Sequence, residues 1–532
     1  MLGQLFRHWT YQLFAPGALL RERYDSFRRL LEDDKRCLEL ITALEEIRYG
    51  QVQADWSKLE SLLRALTWSV GSLARQLVAM NPGQYMDLEP SLRDLLARLE
   101  PLAQLPAPHA GPPYVLPLGE VVDARDQAGG KAWNLGRVLV EVGLPVPPGF
   151  VVTTSAFFAF LEHNDLAPRL DELLSRVRLD EPERLDALCA EMQDMVLGGA
   201  LPPAVEQALS EAVAGLTAGV AAPRLAVRSS AVGEDASEIA CGGDGAGVSF
   251  AGQYESELGV EPAGVRHAWL RVLASKYAPR AVAYRVRYGL ADREAPMAVL
   301  VLAMVQAKSS GVVYSLDPVA EGRRERIGIY AVPGLGERLV GGSSLPDMFY
   351  LSRTDNPVLL KSVAQRRVQE GVPGRSTTVL DLPSIKTLAD WVMVLERIFG
   401  CPQDVEWCQD AEGEMYVIQS RPLQAESAFA ESARPQANKD SRAQAAESAE
   451  ELAEGLVKDH AVLFRGGLMA SGGVALGRVH LLRDDEPLRS VPGGTVLVCG
   501  TLSPDLVSLL GRVKAVVAER GSRASHFASV AR

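Results

Sequence analysis

The protein has 532 residues, 55 Lys and Arg against 67 Asp and Glu, a net charge of −12, and 47% hydrophobic residues. That length predicts about three domains, and the balance of apolar to charged residues excludes a chain disordered throughout. An acidic chain with no local basic patch is not a general nucleic-acid coat and does not bind an anionic membrane surface, because both partners are rich in phosphate.

The N-terminus, MLGQLFRHWTYQLFAPG, has no basic segment leading into a clean apolar core and does not read as a signal peptide. Residues 1–100 read as a helical bundle. Leu20, Tyr24, Phe27, Leu31, Leu38 and Ile41 recur at spacings of three, four or seven, which puts them on one face of a helix. A second helix opens at Asp55 as its N-cap, carries Leu59, Leu62, Leu66, Val70, Leu73 and Leu77, and ends at Asn81-Pro82-Gly83. A shorter third helix carries Leu92, Leu95, Leu96 and Leu99. Nothing in this region looks chemical; a bundle of this kind serves docking or homo-oligomer formation.

Residues 101–113 hold five prolines and read as a stiff linker. From 114 to 423 the texture is mixed α/β. Short β-branched runs at 150–152, 225–227, 297–305, 311–314 and 415–418 alternate with helical patterns. The longest apolar stretch, Pro296 to Val305, is too short to span a bilayer and suits a buried strand. Residues 424–461, rich in Ala, Glu, Ser and Gln, read as a flexible linker. Short strands return over 462–532; roughly 70 residues is small for an α/β domain, so the domain is expected to continue past Arg532. The six cysteines are scattered with no CxxC, which reads as reduced thiols of a cytoplasmic protein.

Five clusters carry candidate chemistry. In the first, Gly129-Gly130-Lys131 offers a backbone able to approach a phosphate and a point charge beside it, although a Gly-Gly turn capping a helix fits as well. In the second, Arg228-Ser229-Ser230 is followed by Glu234-Asp235 and then by Ser249, Gly252 and Gln253. Bidentate guanidinium contacts and backbone N–H donors there suit a polyphosphate. The glycine-rich stretch between the halves, Cys241 to Gly247, reads as a mobile lid. The third is Gly334-Leu335-Gly336-Glu337 with Ser344 to Asp347. In the fourth, Asp404 and Glu406 lie two apart on a strand and share a face, with Gln419 and Arg421 on the next strand. Two carboxylates and an amide oxygen are hard ligands suited to Mg²⁺, and an exposed acidic hairpin is the alternative. The fifth places His526 behind a glycine loop at a helix start, where the helix dipole disfavours the imidazolium and leaves the ring neutral and nucleophilic.

In this order the clusters resemble the phosphoenolpyruvate synthase / pyruvate, phosphate dikinase family, which also includes the rifampicin phosphotransferases. The resemblance covers about residues 115–532 and rests on collinear elements. These are GGKAWNLG…GLPVPPGF at 129–150, VRSSA…ED with SFAGQ at 227–253, RAVAYR at 280–285, GVVYSLDP at 311–318, GLGE at 334–337, DVEW…QSRP at 404–422, and Pro504-Asp505 with GSRASHFASVAR at 521–532. The resemblance implies an ATP-grasp-like nucleotide-binding domain over 114–423 and a swivelling phosphohistidine domain from 462. It implies ATP and Mg²⁺ as cofactors and His526 as the phosphorylated residue. Lys131, Arg228 and Arg421 would neutralise phosphate charge, with Arg228, Arg421 and His526 catalytic. Ser249, Gly252, Gln253 and Glu337 would contact the nucleotide, and Glu406, Gln419 and Asp404 the metal. The acceptor would be pyruvate, bound on a domain outside this sequence; an antibiotic hydroxyl as acceptor, or a regulatory module that binds ATP without turnover, are the alternatives. Departures stand at Leu302, where glutamine is common, at Tyr314 in place of phenylalanine, and at Ser522 and Phe527 beside His526.

Overall fold

The computed structural model describes residues 16–48, 56–93 (except 86 and 89), 110–234 (except 180), 254–317 (except 289 and 291), 326–340, 344–354, 358–362, 378–423 and 466–531 (except 468, 484–485, 504–505, 507–508 and 523–524). The expected linkers, the lid at 241–247, Ser249, Gly252, Gln253, most of the third N-terminal helix and Pro504-Asp505 lie outside them. The chain divides into two compact units. The first comprises Met1–Ala110, Phe158–Ala200 and Tyr277–Pro296, and the second Gly111–Phe157, Leu201–Lys276 and Met297–Arg532.

The first unit is helical. Helices α1 (Pro16–Arg48) and α2 (Trp56–Met80) pair along their length. Both helices coincide with the segments of apolar periodicity, and Asp55, the expected N-cap of α2, lies outside the described residues. The face of α1 carrying Tyr24, Phe27, Leu31, Leu38 and Ile41 is, however, exposed. The buried side of α1 carries Ser26 and Cys37, with Leu30, Leu40 and Leu44 half-buried. This helix has two apolar stripes, and periodicity alone does not say which one meets a neighbour. In the same unit Arg285 is fully buried and ion-paired with Asp292, whose carboxylate also accepts the Tyr277 hydroxyl hydrogen bond at 3.2 Å. The RAVAYR element therefore ends in a structural ion pair.

The second unit holds two large sheets. One has the order β1 (Val115–Pro117), β2 (Gly149–Val152), β5 (Met297–Ala303), β3 (Leu225–Ala231), β4 (Ser256–Val260), and every pairing in it is antiparallel. The other runs β11 (Met415–Pro422), β10 (Gln403–Gln409), β6 (Ser309–Tyr314), β7 (Arg326–Pro333), β8 (Asp347–Ser352), β9 (Val358–Ser362), again antiparallel throughout. Helix α3 (Arg125–Arg137) packs on β3 and β5 of the first sheet and on β11 of the second. One apolar core joins them: Ala132 and Leu135 of α3, Leu300 and Leu302 of β5, Val405 and Trp407 of β10. Burying each large side chain in it contributes about 2 kcal/mol. Leu302 faces this core, so the departure from glutamine fills apolar space.

Helix α4 (Leu382–Phe399) closes the core with Ile385, Leu388, Val392 and Leu395, spaced three or four apart. It begins at Asp381, whose carboxylate accepts the Ser384 N–H at 2.9 Å, and ends at Gly400 with φ 76°. The C-terminal part of the unit is a small parallel sheet, β12 (Val479–Leu481), β13 (Val496–Thr501), β14 (Ala515–Arg520), followed by the helix His526–Ala531. Its core gathers Leu497, Leu506, Leu509 and Phe527. The architecture is thus mixed helix and sheet, as expected, with antiparallel pairing in both large sheets.

Four cysteines, Cys37, Cys189, Cys408 and Cys499, are free and buried. Cys401 is disulfide-bonded, which corrects the expectation that all six cysteines are reduced thiols. Among the described residues no helix is long and apolar enough to cross a membrane.

Candidate active site

The GG pair of the first cluster serves the protein's own backbone. Gly129 has φ 72°, which breaks the helix α3 within its first turns. A Cβ at Gly129 would lie 1.7 Å from the Ser230 carbonyl oxygen, and one at Gly130 would lie 1.3 Å from that of Glu234. Only glycine permits this approach. Ser230, fully buried, fastens the break: its hydroxyl accepts the Ala132 N–H at 3.0 Å and donates to the Ala128 carbonyl at 2.8 Å. The kink sets Lys131 against the end of β3, where its ammonium pairs with Glu234 at 2.7 Å and donates to the Ser229 hydroxyl at 3.2 Å.

The fourth cluster forms as the two-residue alternation requires. In the β10–β11 ladder Asp404 stands opposite Arg421 and Glu406 opposite Gln419, so all four share one face while Val405 and Trp407 enter the core on the other. Asp404 and Gln419 are buried. Arg421 donates through Nε and Nη2 to Asp404 Oδ2, at 2.9 and 2.8 Å.

Arg228 joins the two sheets. From β3 its Nη1 donates to the Ile418 carbonyl at 3.0 Å, and its Nη2 to Gln419 Oε1 at 2.8 Å and Glu406 Oε2 at 3.3 Å. Glu406 and Gln419 therefore aim oxygen atoms at one cationic group between the sheets. This donor set, a carboxylate and an amide oxygen converging on one point, fits a hard divalent cation sharing phosphate ligands. Asp404 is held by Arg421 instead. Among the described residues no three His, Cys, Asp or Glu side chains cluster as metal ligands.

Glu337 opens the short helix Glu337–Val340 and is exposed. Leu339, one turn on, packs with Val312 and Tyr314. Val312 stands opposite Glu406 in the β6–β10 ladder, so this helix rests on the sheet face that carries the carboxylates. Tyr314, the phenylalanine replacement, is buried there edge-on to Tyr330. Two other motif segments are structural. Ser315 bonds both ways with the Gln403 backbone, and Asp317 accepts from Arg326 Nε at 2.6 Å.

His526 begins its helix immediately after Ser525, a buried residue whose hydroxyl accepts the Ala528 N–H at 3.3 Å. Phe527 turns into the C-terminal core, and Ser522 is buried with its carbonyl accepting the Ser525 N–H.

The structure thus brings together Arg228, Glu406, Gln419 and, along the same ladder, Asp404 and Arg421; Lys131 joins β3 one residue further on. Glu234 and the Ile418 carbonyl complete the set. Glu234 stood in the second sequence cluster with no partner assigned to it, and the Ile418 carbonyl, a backbone group, was not singled out by sequence. The three cations Lys131, Arg228 and Arg421 each face one carboxylate, Glu234, Glu406 and Asp404, so the site is balanced in charge.

Residues 125–442 match the family profile of the pyruvate phosphate dikinase AMP/ATP-binding domain, and residues 491–532 that of the mobile domain of PEP-utilising enzymes. The chain is 30% identical to a probable phosphoenolpyruvate synthase of Methanothermobacter thermautotrophicus, over 76% of this chain and 56% of the relative. It is 32% identical to the phosphoenolpyruvate synthase of Aeropyrum pernix, over 76% and 52% of the two chains, and 28% identical to that of Escherichia coli, over 76% and 51%. The chain spans about half the length of these relatives. With more than half of its residues matched by the nucleotide-binding profile and its cationic residues gathered at the meeting of two sheets, the chain belongs to the phosphoenolpyruvate synthase / pyruvate, phosphate dikinase family.

Proposed function

We propose that this chain carries the ATP half-reaction of a phosphotransferase: it binds ATP with Mg²⁺ in the second unit, forms a phosphohistidine at His526, and passes the phosphate to pyruvate, giving phosphoenolpyruvate. The observation that carries this reading is Arg228, which reaches from one sheet to Glu406 and Gln419 of the other. A group so placed is positioned to meet a polyphosphate lying between the sheets.

Among the described residues each of the three site cations is held by a carboxylate. On this reading the phosphate oxygens draw the guanidinium groups of Arg228 and Arg421 and the ammonium of Lys131 toward themselves. Glu406 and Gln419, no longer engaged by Arg228, would hold Mg²⁺, with Asp404 keeping Arg421 aimed. Bound there, Mg²⁺ would supply charge neutralisation on the phosphates. The His526 imidazole nitrogen then attacks a phosphorus of ATP and the bond to the bridging oxygen breaks: attack at the γ phosphorus releases ADP and leaves a phosphohistidine, while attack at the β phosphorus releases AMP and leaves a pyrophosphohistidine that water cleaves to phosphohistidine and inorganic phosphate before transfer. Catalysis of this kind depends on position and electrostatics, and the chain's own contribution is an array of charged donors gathered at one place.

The test uses ATP labelled separately at the β and γ positions, with Mg²⁺, on the wild type and on His526→Ala. Acid-labile, base-stable label in the wild type alone is the expected result, and the β label tells pyrophosphoryl from phosphoryl transfer. Bound ATP with no label on His526 would overturn the reading in favour of a nucleotide-binding module without turnover. Dependence of subsequent label release on pyruvate identifies the acceptor.

A further inference from the structure

Lysine carries its charge at the end of a four-carbon stem and orients poorly without a partner. Lys131 is nonetheless buried and fixed, and the group that fixes it is Glu234. This carboxylate has no exposed surface. Its Oε1 lies 2.7 Å from the Lys131 ammonium, and its Oε2 accepts the Ala231 N–H at 3.0 Å. Its main chain is set by two further contacts: the Glu234 N–H donates to the Ala231 carbonyl at 3.1 Å, and the Glu234 carbonyl presses on the space a Cβ of Gly130 would need. The residue that orients the ammonium is thus tied to both β3 and the kinked helix that bears the lysine.

A fully buried carboxylate is costly to hold, and a single ion pair on a protein surface would not call for it. Here a buried acid in the turn after β3 is directed at the lysine that faces the site. We propose that Glu234 is a positioning residue: it sets the place of the Lys131 ammonium before nucleotide arrives, so that Lys131 meets the phosphates of ATP without a conformational search. This rests on the reading of Lys131 as a phosphate contact. Glu234 itself touches no reacting atom; it acts through Lys131.

The test measures binding of a non-hydrolysable ATP analogue and of adenosine to the full chain by calorimetry. The proteins are the wild type, Glu234→Gln, Glu234→Asp, Lys131→Met and the double variant Lys131→Met/Glu234→Gln. The expected result is that E234Q weakens the ATP analogue about tenfold, the scale of one charge-assisted hydrogen bond, and leaves adenosine unchanged. E234D, which keeps the charge but draws it back by one methylene, weakens the analogue less. In the Lys131→Met background E234Q adds no further loss. If E234Q weakens adenosine and the ATP analogue alike, or costs the same factor with and without Lys131, the residue supports the fold and the proposal is overturned. E234Q matching the wild type while K131M is impaired overturns the positioning role alone. K131M binding as well as the wild type removes the phosphate contact itself and the proposal with it. Should E234Q not fold, E234D and the double variant, which strands no buried charge, carry the same comparison.

Discussion

Arg228 makes three hydrogen bonds that span the two large sheets, so its replacement tests both binding and alignment. Arg228→Gln is expected to lower the rate of phosphohistidine formation at least about 100-fold, the usual loss when a preset charged donor is removed, as read by rapid-quench labelling. Arg421→Lys keeps the charge but loses the fork that grips Asp404 through two nitrogens, and a loss of about tenfold in the same assay is expected. The cysteines of the two units give a second test at this scale. Burial pushes the thiols of Cys189 and Cys408 up to about 12, so both remain protonated and unreactive at pH 8. Native protein treated with iodoacetamide should leave these two unlabelled, and denatured protein should label them. Because each native thiol keeps its proton above the unfolded value of 9.0, the folded state binds more protons than the unfolded one between about 9 and about 12. Stability is therefore expected to fall as pH rises through that window.

At the scale of elements, the kink in α3 and the cap of α4 make opposite demands. The kink depends on the absence of side chains at Gly129 and Gly130. Gly130→Ala would force its Cβ into the Glu234 carbonyl, so α3 must shift away from β3; a loss of about 3 kcal/mol and misplacement of Lys131 are expected, read by denaturant unfolding and nucleotide titration. The cap depends on one side chain that is present. Asp381→Ala should cost about 1 kcal/mol and leave nucleotide binding intact, since α4 packs on the core away from the carboxylate face. The Ser384 hydrogen bonds hold the Asp381 carboxyl below its ordinary 3.8, so its contribution is full above that value and is lost as the pH falls below it.

At the scale of the whole molecule, every described residue of the candidate nucleotide site lies in the second compact unit, although the chain passes into the first unit twice on the way. Scanning calorimetry is expected to resolve two transitions. ATP with Mg²⁺ at 100 times its dissociation constant should stabilise one of them by about 2.7 kcal/mol and leave the other where it was. A single transition that moves with ligand would mean that the two units unfold as one.

Much of this was readable without coordinates. The order of motifs carried the family, because collinear elements of that number and spacing rarely arise together by chance. The shared face of Asp404, Glu406, Gln419 and Arg421 followed from two-residue alternation, which is a property of any strand. The helices α1 and α2 followed from apolar periodicity. What the sequence left open were relations between distant segments. It offered the GG pair either to a phosphate or to a helix cap, and the tertiary structure gave it to the backbone of Ser230 and Glu234, some 100 residues away in the chain. It left the apolar stripe of α1 without a neighbour, and the structure buried the other side of that helix. It placed Ser229 and Ser230 in a stretch suited to a polyphosphate without giving their hydroxyls a partner, and folding set both against α3. Local spacing fixes which side chains share a face. Which face meets which other, and so which cation is held by which carboxylate, is decided only when the two sheets and the kinked helix close on a common core.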